Sequence, residues 1–266
     1  MALSFPKGIR SIRHPKMKGS LDMAIDEALA TAVSDGPPVI RLYGFTPATL
    51  SVGRFQKTEG VVHFERLAQH GAEFIRRPTG GQAVLHDNEL TYAVILARHH
   101  IDPFRKRQVY RFVSELLLAA LRAIGVEASF SCARRGDYHH PDCFATTGEY
   151  EIITARGRKL VGSAQTTTRT SCLQHGSIPL GPSTHGASEY LDDDASLGRA
   201  AAASPPSSLE EELGRKVTFE EAQELFFEAL GRVLTLRESE LTDEELSLSR
   251  GLAAGKYESR AWNRSR

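Results

Sequence analysis

Cysteine is scarce in this chain, and its few copies do not pair up. Among 266 residues there are three, Cys132, Cys143 and Cys172. An odd number at these spacings forms no disulfide framework, and no CxxC pair is present to begin a zinc site. Long apolar runs are missing as well, none approaching the ~18–20 residues that span a bilayer. The opening stretch MALSFPKGIRSIRHPKMKG carries no hydrophobic signal core, so a cytoplasmic protein is expected. Nor does one sign of charge dominate: 33 Lys and Arg face 33 Asp and Glu. That balance removes any global electrostatic case for nucleic acid or an anionic membrane as partner. Internal repeats are absent, nothing points to a subunit interface, and a monomer is expected.

What is present is a globular composition, long enough to bury a full core. A short edge strand is expected at 9–14. Ser20 then caps a helix to about residue 33, with Asp22 in its first turn. Leu21, Ile25, Ala28, Leu29 and Ala32 recur there at helical spacing, which leaves Asp26 and Glu27 as solvated charges. Strands follow at 39–43, 48–52 and 73–77, with Arg54 exposed in a loop and a short helix near 62–70. Residues 90–96 are apolar on both faces, as in an interior strand. The amphipathic helix at 108–124 is stopped by Gly125. Thr218 with Glu221, and Thr242 with Glu245, have capping-box spacing for helices to about 234 and 254, the first carrying an apolar stripe from Phe219 to Val233. The tail after Lys256, with Trp262, is expected to pack back on the domain. Residues 181–206 read as a long surface loop.

Two stretches hold residues suited to chemistry. Arg76-Arg77-Pro78-Thr79-Gly80-Gly81-Gln82-Ala83-Val84-Leu85-His86-Asp87 places paired glycines beside two arginines. Such glycines let backbone approach a ligand, and arginines hold a carboxylate or phosphate; a plain hairpin with surface arginines is the alternative. The second stretch, 141–165, opens with Cys143 in a polar loop next to His139 and His140. It continues through a strand at 150–154, a turn at 155–157 and a second strand carrying Lys159, ending in Gly162-Ser163-Ala164. The histidines and Cys143 lack zinc spacing, so no metal is expected. A thiolate favoured by a nearby cation would make Cys143 a nucleophile. Cys132 reads as a small, half-buried apolar residue, and Cys172, beginning a strand beside Leu173, is the less favoured rival nucleophile.

The first of these stretches resembles the RRxSGG(x)AVxHD signature of the biotin/lipoate protein ligase and octanoyltransferase superfamily, with Thr79 where serine is common. Arg158–Gln165, RKLVGSAQ, resembles its K(V/L)xGSAQ motif, and Cys172–Ile178 resembles its QHGSI strand. Cys143-Phe144-Ala145 resembles the cysteine loop of LipM-type octanoyltransferases, and 23–29 and 52–56 extend the similarity over most of the chain. The resemblance implies an α+β fold, a mixed β-sheet with packed helices, occupying 1–266 as one catalytic domain. It implies Cys143 and Lys159 as catalytic residues, and an acyl tunnel lined by Arg76, Arg77, Thr79, Gly80, Gly81, His86, Gly162, Ser163 and Ala164. Lys159 and Ser163, at odd positions, are expected to face that tunnel together. It implies octanoyl–acyl carrier protein as donor, a lipoyl domain or glycine-cleavage H protein as acceptor, and no cofactor. An amidotransferase between lipoyl domains, an ATP-dependent lipoate or biotin ligase, and a non-catalytic acyl-binding regulator are the alternatives.

Overall fold

The computed structural model describes residues 8–102, 104–131, 150–192 and 205–265. A mixed sheet of six strands has the order β11-β1-β2-β6-β10-β9. Its strands are β1 (Ile9–Met17), β2 (Val39–Phe45), β6 (Glu89–Ala97), β9 (Gly162–Thr167), β10 (Ser171–Pro179) and β11 (Leu236–Glu238). β1 runs parallel to β2 and β11, and the remaining neighbours are antiparallel. A smaller sheet of three strands holds β3 (Thr49–Val52) between β4 (Glu73–Arg76) and β5 (Val84–His86). A two-stranded ribbon joins β7 (Ala128–Phe130) to β8 (Ile152–Thr154).

β6 is interior, as its two-sided apolarity requires, and every one of its residues is buried. Leu90, Tyr92, Val94 and Leu96 face α3 (Lys106–Ala123) and α5 (Phe219–Gly231) in one core cluster. Ala93, Ile95 and Ala97 face the other way, toward α1 (Gly19–Ala32), in a second cluster. Helix α2 (Phe64–Gln69) backs the small sheet through Leu67, and α4 (Leu209–Leu213) leads toward α5. Beyond α6 (Asp243–Leu252) the chain makes a π-helical turn, Ala253–Tyr257, and ends in α7 (Arg260–Asn263). The tail does pack back: Trp262 Nε1 donates to the Arg76 carbonyl at 2.8 Å, and Tyr257 is buried.

Four expectations change. β1 is longer than a six-residue edge strand and lies inside the sheet, because the unforeseen β11 covers its outer side. Helix α1 starts at Gly19 after an extended Lys18, not at a Ser20 cap; a Cβ on Gly19 would stand 2.9 Å from Thr49 Cγ2. Asp26 is fully buried rather than solvated, and Glu27 is paired with Lys256 at 2.7 Å. Val233 lies past the end of α5 and is 55% exposed, outside the core stripe.

Candidate active site

An apolar cavity opens between the small sheet and the α1 face of the large one. Met23, Tyr43, Phe45, Ser51, Arg77, Val84, His86 and Thr91 line it from one side, and Gly162, Ser163, Ala164, His175, Gly176 and Ser177 from the other. Glycine at 176 is required by close strand approach, since a Cβ there would sit 2.2 Å from the Gly162 carbonyl oxygen.

The glycine loop after β4 is wound around Arg77. Its guanidinium donates to the carbonyls of Gly80 at 2.9 Å and Gln82 at 2.5 Å, and to Ser51 Oγ at 3.0 Å. Gly81 adopts φ +84°, a left-handed conformation that glycine takes without strain. A Cβ on Gly53 would stand only 1.9 Å from the Gly81 carbonyl oxygen, so the two backbones are in direct contact. Arg76 has a different occupation. It is fully buried and donates to the carbonyls of Gly53 and Gln56, each at 2.8 Å, which shapes the loop presenting the exposed Arg54. Arg76 does not line the cavity.

Two histidines stand in the cavity wall, each held by a carboxylate. The His175 Nδ1–H donates to Asp26 Oδ2 at 2.9 Å, and its Nε2 accepts from the Thr79 hydroxyl at 2.7 Å. Burial lowers the His175 pKa, against the opposing pull of Asp26, so the ring is neutral at pH 7. Burial pushes the Asp26 carboxyl up, but hydrogen bonds from His175 and Tyr43 and the Arg41 charge prevail and hold it below its ordinary value. Behind Asp26, the buried Arg41 donates to Asp26 Oδ1 at 2.8 Å and to Asp22 Oδ1 at 2.5 Å. The other histidine, His86, contacts Glu89 Oε1 through Nδ1 at 2.5 Å and Ser51 Oγ through Nε2 at 2.8 Å. Its ring stacks on Phe45 at 4.1 Å between centroids. Thr91 and Ser177 also donate to Glu89. The cavity's polar side chains thus satisfy one another. None of its lining residues carries an unpartnered buried side-chain nitrogen or oxygen, so the surface left for a ligand is apolar.

The Lys159–Ala164 stretch departs from regular strand alternation. Lys159 makes a single bridge to Ile153, and Leu160 and Val161 are both buried in the α3 core. Strand parity is lost there, and β9 begins only at Gly162. Ser163 consequently turns its hydroxyl to Tyr92 at 2.7 Å, on the α3 side of the sheet, while Ala164 approaches the glycine loop. The shared tunnel-facing side expected for Lys159 and Ser163 is not formed. Lys159 is 3% exposed, with its ammonium 2.6 Å from Glu151 Oε2. Glu151 borders the 132–149 stretch, so Cys143, Cys132, His139 and His140 lie outside the described residues. Cys172 is buried on the α3 face, and burial pushes its thiol up to about 12, which leaves it without a nucleophilic thiolate at neutral pH.

With this geometry in view, the comparisons decide the family. Residues 19–231 match the model of the lipoyl protein ligase A/B catalytic domain. The chain belongs to that family. It is 37% identical to octanoyltransferase LipM of Anoxybacillus flavithermus over 92% of this chain and 93% of the relative. Octanoyltransferase LipM of Kyrpidia tusciae is 38% identical, over 96% and 97% of the two chains. Among solved structures, lipoate-protein ligase A bound with ATP superposes with a TM-score of 0.80 at 22% identity, covering 97% of this chain and 98% of that one. That likeness establishes the α+β ligase fold.

Asp26, His175, Ser51, Glu89 and Arg41 were not singled out as site residues by sequence reasoning. A signal did exist for Arg41, a charge in the middle of the strand run Val39–Phe45, all of which is buried. Asp22 and Asp26, one helical turn apart and flanked by apolar residues, carried a second. Elsewhere, ligand atoms of His70, His185 and Glu189 lie within 4.8 Å of one another. The two imidazoles are stacked nearly parallel at 3.9 Å, however, so one cation cannot lie in both ring planes. No helix among the described residues is long and apolar enough to cross a membrane.

Proposed function

We propose that this protein is an octanoyltransferase of lipoate biosynthesis. It takes octanoyl from octanoyl–acyl carrier protein and delivers it to a lysine of a lipoyl domain or glycine-cleavage H protein. The observation carrying this reading is the cavity: its polar groups are paired among themselves, which suits a saturated chain, in a chain about as long as its LipM relatives. An alkyl chain gains about 0.8 kcal/mol per methylene buried there, so discrimination between neighbouring chain lengths is modest.

In the proposed reaction the Cys143 thiolate attacks the thioester carbonyl, and the carrier's thiolate leaves with a proton from the Lys159 ammonium. The acceptor lysine then attacks the acyl-cysteine as a free amine. An amide forms, the Cys143 thiolate is regenerated, and the amine's proton passes to the neutral Lys159 amine, restoring its ammonium. Lys159 suits this role because its buried ammonium is held by Glu151 at the edge of the stretch bearing Cys143. The thioester supplies the driving force, so no ATP is needed. One cytoplasmic, monomeric domain performing both half-reactions completes the proposal.

Intact-mass analysis after mixing with octanoyl–acyl carrier protein tests it. The expected result is an octanoyl adduct that disappears in Cys143→Ala and persists in Cys172→Ala. An adduct surviving Cys143→Ala, or octanoate-dependent ATP–pyrophosphate exchange, would overturn the assignment.

A further inference from the structure

Three segments far apart in sequence meet beside the cavity: α1, strand β10 and the glycine loop. One side chain connects them. His175 lines the cavity, reaches Asp26 on α1 with one ring nitrogen and receives the Thr79 hydroxyl on the other, at 2.9 and 2.7 Å. All three residues are buried, at 4%, 0% and 0% exposure for His175, Asp26 and Thr79. Thr79 directly precedes Gly80 and Gly81, and its carbonyl accepts the Arg54 N–H at 2.8 Å. A Cβ on Gly81 would lie 3.6 Å from Ala164 Cβ, so the loop approaches β9 just after the point where Thr79 is anchored.

We infer that His175 is a positioning residue for the acyl chain, fixing the distance between the glycine loop and β9–β10 through the Thr79 hydroxyl, with Asp26 setting its tautomer. This deepens the functional reading above and rests on it. The Asp26 carboxylate accepts from Nδ1–H, which leaves the Nε2 lone pair for the Thr79 hydroxyl alone. A ring in the other tautomer would present N–H at that position and a lone pair to the carboxylate. Glycine gives the loop no side-chain contacts of its own at positions 80 and 81. Without the hydroxyl, a buried acceptor loses its partner and the loop relaxes away from Ala164, loosening the grip on the chain before chemistry begins.

Steady-state kinetics with octanoyl–acyl carrier protein test the inference. Thr79→Val, which keeps shape but removes the hydroxyl, is expected to raise the donor KM about tenfold with kcat unchanged to within about twofold. Thr79→Ser restores the KM, because it restores the hydroxyl. Combining Thr79→Val with His175→Ala raises KM no further than His175→Ala alone, as expected when both remove one tie. If His175→Ala does not fold, the Thr79 pair decides. A Thr79→Val chain that loses thermal stability at unaltered KM, or loses kcat at unaltered KM, overturns the inference, as does additivity of the two substitutions. Failure of the unaltered protein to form any octanoyl adduct overturns the functional reading and this inference with it. An adduct together with an unshifted KM in Thr79→Val overturns this inference alone.

Discussion

The two faces of the six-stranded sheet both carry an apolar cluster, but buried charge gathers on only one of them. On the α3 and α5 face, Leu90, Val94, Leu96, Cys172 and Ile178 meet Phe112, Leu117, Leu121, Phe226 and Leu230, an apolar core. On the α1 face the strands contribute Arg41, Tyr43, Thr91, His175 and Ser177, and α1 supplies the buried Asp22 and Asp26. Apolar burial stabilises the first face at roughly 25 cal/mol per Å². The second has an apolar cluster of its own, but its buried ions add little, because desolvation offsets most of their attraction. The polar groups nevertheless sit where the cavity is. Both faces hold the fold together, and the second also positions a glycine loop and two histidines.

The largest effect expected from breaking this division comes from its polar side. Arg41→Ala leaves the Asp26 carboxylate buried without its cation, and should cost about 3–5 kcal/mol at pH 7. That is a large share of a typical total of about 5–15 kcal/mol. Urea unfolding measures it, and a loss below about 1 kcal/mol would mean that Asp26 is not charged in the folded chain. On the apolar side, Leu121→Ala should cost about 2–5 kcal/mol through a cavity in the core. Its donor KM should not move, because Leu121 lies on the face away from the acyl cavity. A KM that rose with Leu121→Ala would join the two faces that this comparison separates.

The same division explains what could be read in advance. The apolar face repeats at intervals of two along β6 and of three and four along α3 and α5, so periodicity alone located these elements. The glycine loop was visible because Gly80 and Gly81 follow paired arginines, yet the arginines were read as equivalent. In the structure Arg77 holds the loop while Arg76, the last residue of β4, points to the opposite side and ties down the 53–56 turn. Strand alternation separates neighbours in this way, and the expectation for Arg76 ignored it. The error at Lys159 had the converse origin: alternation was assumed through 160–161, where both residues turn into the core. Asp26 was misread because its partners are the remote Arg41 and His175, and no local pattern marks such a pairing. The three-residue β11, with its last two residues exposed, has too little pattern to be seen.

A finer test concerns how charge is balanced on the polar face. One guanidinium serves two carboxylates and also donates to His14 Nδ1 at 2.9 Å. Burial lifts the Asp22 carboxyl to about 8, against the Arg41 charge, while burial together with that charge lowers His14 to about 4. Near neutral pH both are mainly uncharged, and Arg41 balances Asp26 alone. The two groups give stability opposite slopes with pH. For Asp22 the folded state holds the proton more tightly, so its contribution is full below the ordinary carboxyl value of 3.8 and is lost as pH rises toward about 8. For His14 the unfolded state holds it more tightly, so the contribution is full above the ordinary imidazole value of 6.5 and is lost as pH falls toward about 4. The slopes oppose one another across the acidic range, and above it only that of Asp22 remains. Asp22→Asn removes that slope, so the stability of the variant relative to the unaltered chain should grow with pH, by no more than about 1.4 kcal/mol per unit. Urea midpoints of the two chains between about pH 5 and about pH 8 measure the gap. A gap that stayed flat would make Asp22 a full carboxylate and leave the Arg41 cluster with a net negative charge, which a wall facing an apolar chain would be least expected to carry.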